Sequence, residues 1–202
     1  MTTFQAKQQL TFEQFLELEV ESEGFYELVN GEIVRKLATR QHDNIDDFLV
    51  RQLDRENERA SLNYRVSGRI VVRTLTPDGQ EQGRNPDVSV VYKTLWDSNL
   101  SAYTAFVQSL QLAVEVISTN WEDDYIDKLD EYQRLSIPEY WIVDYLALGS
   151  RTYLGNPKVP TVFVFLLDEN GVYQYTPYRR TDRIISRTFP DLALTAEHVL
   201  RA

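Results

Sequence analysis

Cysteine is absent from the chain, and histidine occurs only at His42 and His198. Without thiols there is no disulfide, no cysteine nucleophile and no thiolate metal site, so a bound metal must take oxygen or imidazole ligands. Those donors favour magnesium, manganese or calcium over structural zinc. Long apolar runs are also missing, since nothing approaches the roughly 18 residues that a membrane span requires. The opening stretch MTTFQAKQQLTFEQF has no basic segment followed by an apolar run, so no secretory signal is expected and the cytoplasm is the expected location. With 8 glycines and 7 prolines, the chain does not have a fibrous or low-complexity composition. Basic residues are in deficit, 21 against 31 acids, for a net charge of −10. Proteins that grip DNA normally present a basic footprint. A DNA partner here would require the acids to be neutralised in a site, or the bases to gather on one face.

What remains is an ordinary globular composition, 43% hydrophobic and 26% charged over 202 residues, which suits one α/β domain over 1–202 with residues 1–10 disordered. Thr11 followed by Gln14 is a capping-box pattern, and Phe12, Phe15, Leu16 and Leu18 give a helical stripe, predicting a helix near 11–21. Asn30-Gly31 between Phe25–Val29 and Ile33-Val34 predicts a hairpin over 25–37. Ile45, Phe48, Leu49 and Leu53 predict a helix over 42–58. Strands are expected at Tyr64-Arg-Val, at Ile70-Val-Val and, after the turn Thr76-Pro-Asp-Gly, at Pro86-Asp-Val-Ser-Val-Val. Residues 93–109 read as a loop over the site or a helix. Leu110 to Ile117 is apolar except at Gln111 and Glu115, as in a strand buried on both faces. Helical spacing over 122–135 and a strand at Glu139–Asp144 complete a strand, helix, strand unit that favours a parallel pair. Asp168-Glu-Asn-Gly turns a second hairpin between 161–167 and 172–175. A strand near 183–188 and a short helix from about 195 close the chain.

Two carboxylates stand out. Asp87 heads an apolar strand and Glu115 lies in the middle of another, so rigid elements could present both to one hard cation. The Val116 carbonyl is a candidate third ligand. Asp87 alone also suits a turn after proline. An ionised Glu115 among Leu112, Val114, Val116 and Ile117 must be paired, metal-bound or protonated. Asp124, Lys128 and Tyr132 follow one another at intervals of four along the predicted helix and share a face. That spacing equally suits a solvent-exposed ion pair, but the helix begins soon after the Glu115 strand and can return Lys128 toward the acids. Neither histidine is expected to have a partner at metal-ligand spacing, such as four residues along a helix, and His198 reads as a surface residue. No serine lies in a nucleophile-elbow context, and no glycine-rich phosphate loop occurs. Tyr132, Tyr140, Trp141, Tyr145 and Tyr153 read as core packing rather than a base-stacking platform.

Five segments in order carry a resemblance: Tyr26-Glu-Leu-Val-Asn-Gly-Glu-Ile-Val, Asn85-Pro-Asp-Val-Ser-Val-Val, Val114-Glu-Val-Ile-Ser, Asp124-Tyr-Ile-Asp-Lys with Glu131-Tyr132, and Pro138-Glu-Tyr-Trp-Ile-Val-Asp. Over roughly residues 11–200 the chain resembles the Uma-two family, described as putative restriction endonucleases, within the PD-(D/E)XK nuclease superfamily. The resemblance implies a restriction-endonuclease-like α/β fold, a central mixed β-sheet flanked by helices with additional hairpins. It also implies that Asp87 and Glu115 bind the metal, that Glu27 is an additional acid, that Lys128 is the motif lysine and that His42 has a supporting role. Ile117 stands where the superfamily pattern has its lysine, two places after Glu115, so that role moves to Lys128. The implied activity is an Mg2+- or Mn2+-dependent endonuclease acting on DNA as a homodimer. The alternatives are a catalytically weak or silent binding module, and a small-molecule phosphodiesterase, which would suit the acidic charge.

Overall fold

The computed structural model describes residues 9–18, 24–118 and 120–202. Helix α1 (Phe12–Glu17) begins on the expected capping box. Thr11 Oγ1 accepts the Gln14 N–H at 3.2 Å, and Gln14 Oε1 accepts the Thr11 N–H at 2.9 Å. It stops short of residue 21 because Leu18 is already extended, while 19–21 lie outside the described residues. So does most of the segment expected to be disordered, 1–8. Its end is tied down, with Leu10 donating to the Gly31 carbonyl at 3.0 Å.

Strands β1 (Phe25–Val29) and β2 (Glu32–Lys36) form the predicted hairpin, with Asn30 and Gly31 both at positive φ, 52° and 76°. Only the primed turns need that geometry, and Asn-Gly adopts it at low cost. Helix α2 (Arg40–Arg59) follows. Strands β3 (Tyr64–Ser67) and β4 (Val71–Leu75) come next, and the Thr76–Gly79 turn leads from β4 into its antiparallel partner β5 (Glu81–Arg84). The chain then passes straight into β6 (Val88–Tyr92). The 93–109 stretch holds a short helix α3 (Lys93–Asp97) and a two-residue strand β7 (Ala105–Phe106) that pairs parallel with β4. One five-stranded sheet therefore runs β2-β1-β5-β4-β7.

The remaining strands are β8 (Leu112–Val116), β9 (Glu139–Asp144), β10 (Thr161–Leu167) and β11 (Tyr173–Tyr178), giving a six-stranded sheet in the order β11-β10-β9-β8-β6-β3. Strands β8 and β9 are parallel, as their connecting helix requires. Every residue of β8 is buried. That helix opens with a π turn at Asp123–Asp127 and continues as α4 (Lys128–Arg134). Two short helices complete the chain, α5 (Arg151–Leu154) and α6 (Ala196–Leu200). One face of the sheet packs Ile45, Leu49 and Leu53 of α2 against Val88, Val114 and Trp141. The other face stacks Tyr125, Tyr132, Tyr140, Phe163 and Phe165. Tyr132, Tyr140 and Trp141 are thus core residues as expected, and Tyr145 and Tyr153 are half-buried around them.

The expected α/β fold of mixed sheet flanked by helices is present, its strands arranged in two mixed sheets because Glu81–Tyr92 leaves one sheet at Arg84 and enters the other at Val88. One expectation is corrected. The strand expected at 183–188 is only a single bridge, Arg183 to Thr195. At its end a side chain takes an amide that a ladder would use, Thr188 N–H donating to Glu139 Oε2 at 2.7 Å.

Candidate active site

The step between the two sheets is where the acids meet. Asp87 occupies it, immediately before β6, and the antiparallel register Val88 to Val114 continues to place Asp87 opposite Glu115 of β8. The fit is fixed by a hydrogen bond, the Val116 N–H donating to Asp87 Oδ2 at 2.7 Å. Val116 thus enters the site through its amide. Glu27 reaches in from β1 and accepts the Asn85 N–H at 3.1 Å. Asp87, Glu115 and Glu27 are 8%, 1% and 3% exposed, so each needs a positive partner or a proton.

Lys128 supplies the first charge. Its Nζ lies 3.0 Å from Glu115 Oε2, 3.1 Å from Asp124 Oδ1 and 3.2 Å from Glu27 Oε1. Tyr132 donates its hydroxyl to Glu115 Oε1 at 2.8 Å. The expected face of Asp124, Lys128 and Tyr132 therefore turns inward, and the solvent-exposed ion pair does not form. Asp87, Glu115, Glu27, Lys128, Asp124, Tyr132 and His42 are brought to one place. His198 is exposed on α6, where it takes part in a capping box with Thr195.

Other charges in this cluster were not foreseen. Lys36, at the end of β2, places Nζ 2.8 Å from Asp87 Oδ1, 3.5 Å from Glu115 Oε2 and 2.7 Å from the Asn85 carbonyl. Arg84 holds Glu131 of α4 through two bonds of 2.8 and 2.7 Å and reaches Glu27 and Asp123, locking the helix to the first sheet. Asp46 stands four residues after His42 on α2, and both approach Asp87. The expectation that His42 has no partner four residues along its helix is thereby corrected: an acid at that spacing shares the helix face. Lys36 carried no such signal, because Ile33-Val34-Arg35-Lys36 resembles an exposed strand edge.

Burial and charge compete at every one of these groups. Burial raises Asp87, but Lys36 and His42 override it and hold the carboxyl well below its ordinary range. Burial likewise opposes Glu27, whose pKa falls to about 2 beside Lys128, Lys36 and Arg84. At Glu115 burial wins over Lys128 and Lys36, with Asp87 adding to it, and the carboxyl is pushed up to about 8. Asp124 rises to about 6 through burial despite Lys128. Burial works against a charged His42, yet Asp46 and Asp87 raise it to about 10. Lys128 stays charged because Asp124, Glu115 and Glu27 outweigh its burial.

These residues floor a cleft of about 680 Å³. Its lining includes the exposed Arg35, Arg65 and Arg69, together with the exposed acids Asp43 and Asp47. Part of the net −10 is therefore sequestered against Lys36, Lys128, Arg84 and His42. Buried carboxylates beside an imidazole are donors that suit a divalent ion, and His42, Asp46 and Asp87 form a group that could hold one.

The family model described as "Uma2: Putative restriction endonuclease" matches residues 12–197. Among solved structures, the crystal structure of a putative nuclease belonging to DUF820 from Anabaena variabilis ATCC 29413 is similar to this fold, with a TM-score of 0.69 at 16% identity. The match covers 95% of this chain and 98% of that one. Among curated proteins none matches. Among the described residues, no helix is long and apolar enough to cross a membrane.

Proposed function

Because the chain belongs to the Uma2 family of putative restriction endonucleases, we propose that it is a divalent-metal-dependent endonuclease that hydrolyses DNA phosphodiester bonds, with Asp87, Glu115 and Lys128 at its centre. The observation that carries this reading is the convergence of Asp87, Glu115 and Lys128 on the floor of a cleft bordered by Arg35, Arg65 and Arg69. We read residues 1–202 as one domain, since the Glu81–Tyr92 segment belongs to both sheets.

Asp87 and Glu115 are the proposed ligands for Mg2+ or Mn2+, with the Val116 carbonyl beside them. Such an ion would polarise a phosphate oxygen and acidify a bound water. The donors fit: two buried carboxylates, Glu115 on β8 and Asp87 just before β6, one held ionised and the other able to give up a proton near neutral pH, with Lys36 as the cation that such an ion would displace. Lys128 orients the attacking water or stabilises charge building on the phosphate. Tyr132 fixes the Glu115 carboxylate through Oε1 and leaves Oε2 turned toward the lysines. Glu27 and Asp124 hold Lys128 in place, and Glu27 is also the candidate second acid. His42 supports Asp87 from α2. The exposed arginines offer contacts to the DNA backbone.

Supercoiled plasmid incubated with the protein and Mg2+ or Mn2+ is expected to be nicked or linearised. Asp87→Ala and Glu115→Ala, checked for folding by circular dichroism, are expected to lose that activity. Lack of cleavage by the folded wild-type protein with either ion would overturn the enzyme reading in favour of a silent binding module. Cleavage of a small phosphodiester but not of plasmid would favour the small-molecule reading.

A further inference from the structure

Asp87 presents its two oxygens to different surroundings. Oδ1 faces Lys36, so the chain's own ammonium already lies between Asp87 and Glu115. Oδ2 faces α2, where His42 Nε2 stands 3.1 Å from it and 3.2 Å from Asp46 Oδ2. No lysine or arginine is paired to Asp46 among the described residues. The His42 side chain is 6% exposed, and neither of its ring nitrogens makes an aligned hydrogen bond, nor does Asp46 Oδ1. In the metal-free chain a proton on Nε2 serves the ion pairs to Asp46 and Asp87, but buried Nδ1 and Asp46 Oδ1 have no hydrogen-bond partner, which is costly unless something satisfies them.

A divalent ion would do so. Ligand atoms on neighbouring corners of an octahedral site with bonds of about 2.1 Å lie about 3 Å apart. The His42 Nε2 separations from both carboxylates have that value, and donor atoms of all three residues lie within 4.8 Å of one another. The i, i+4 spacing on α2 aims His42 and Asp46 together, while the Val116 amide fixes Asp87. An imidazole beside two carboxylates favours first-row transition ions, Mn2+ among them, over Mg2+ or Ca2+, which take oxygen ligands.

We propose that His42, Asp46 and Asp87 form a cation site of their own, distinct from the Asp87–Glu115 position and selective for a transition ion such as Mn2+. It shares Asp87 with the centre proposed above and to that extent rests on the same reading, but it does not need Glu115. The sharing also suggests a use: an ion here lies on the α2 side of the cleft floor, beside the proposed catalytic position.

The test measures binding rather than cleavage. Mn2+ is titrated into wild type, Glu115→Gln, His42→Asn and Asp46→Asn, following free Mn2+ by continuous-wave electron paramagnetic resonance. Pulsed spectra are then searched for the nitrogen coupling of an imidazole bound to manganese. Wild type and Glu115→Gln are expected to bind Mn2+ with the nitrogen coupling. His42→Asn should lose the coupling, and both His42→Asn and Asp46→Asn should bind at least about tenfold more weakly. Asp46→Asn keeps His42 and guards against a folding failure at the buried histidine. Absence of nitrogen coupling in wild type, or loss of all binding in a folded Glu115→Gln protein, would overturn the proposal. Failure of plasmid cleavage with the coupling present would sink the nuclease reading alone.

Discussion

Replacing Glu115 with Gln should stabilise the metal-free protein while removing a proposed metal ligand, and the gain should grow with pH. Glu115 is 1% exposed, and its carboxyl is pushed from an ordinary 4.5 to about 8 by burial, against the opposing pull of Lys128 and Lys36. Below pH 4.5 the carboxyl is protonated in folded and unfolded chains alike, so it costs nothing. Between 4.5 and about 8 the unfolded chain releases the proton and the folded chain keeps it, so stability falls by about 1.4 kcal/mol per pH unit. Above about 8 the full penalty, on the order of 5 kcal/mol, applies. Gln has nearly the same shape, can face Lys128 with its carbonyl oxygen, and can donate to the Tyr132 hydroxyl. Lys128 retains Glu27 and Asp124. Even half of the penalty should raise the melting temperature by roughly 5–10 °C in a chain of this size. The assay is thermal or urea unfolding of wild type and variant in chelator, from about pH 5 to about pH 8. A variant less stable than wild type at the upper pH, or a difference that does not change with pH, would show that the lysines fully compensate the Glu115 charge.

Lys128→Met should have the opposite effect, costing about 3–5 kcal/mol, because it leaves Glu115, Glu27 and Asp124 buried around an uncharged group; a urea-measured loss below about 1 kcal/mol would contradict that account. Alanine at Arg35, Arg65 and Arg69 together should weaken DNA binding and lower its log–log salt slope by about 1 for each phosphate left without its arginine. An unchanged slope would move DNA off this rim. His42 binds its proton more tightly in the folded chain, up to about pH 10. Its stabilisation of the metal-free fold is fully present below about pH 6.5 and is lost as pH rises toward 10. The stability gap between wild type and His42→Asn should close over that interval, and a gap that stays level would refute the pairing with Asp46 and Asp87.

How much of this was legible depended on how far apart in sequence the interacting groups lie. The Asn30-Gly31 turn, the Thr11 capping box and the buried β8 strand are local patterns, and each appears where its spacing predicted. Glu115 was conspicuous because a carboxylate in an otherwise apolar strand must be compensated. The compensating groups were harder to see. Lys36 meets Asp87 across 51 residues and Asn85 meets Glu27 across 58, separations that no periodicity reports. Arg84 lies in a polar stretch that reads as turn, yet it is buried with Glu131. The strand expected at 183–188 shows the same distance effect: Glu139, 49 residues away, takes the Thr188 amide.

The π turn at Asp123–Asp127 accommodates one more residue than an α-helical turn would, with Lys128 N–H reaching back to the Asp123 carbonyl. In an α-helix each residue advances the direction of projection by about 100°, so that extra residue sets the angular phase between Asp124 before it and Lys128 and Tyr132 after it. Ile126 within the turn is 55% exposed and makes little use of its side chain. The position should therefore accept many substitutions, whereas its deletion would leave the strands and the helix in place and turn the lysine away from the carboxylates. At Ile126, length more than side-chain identity is what the turn contributes.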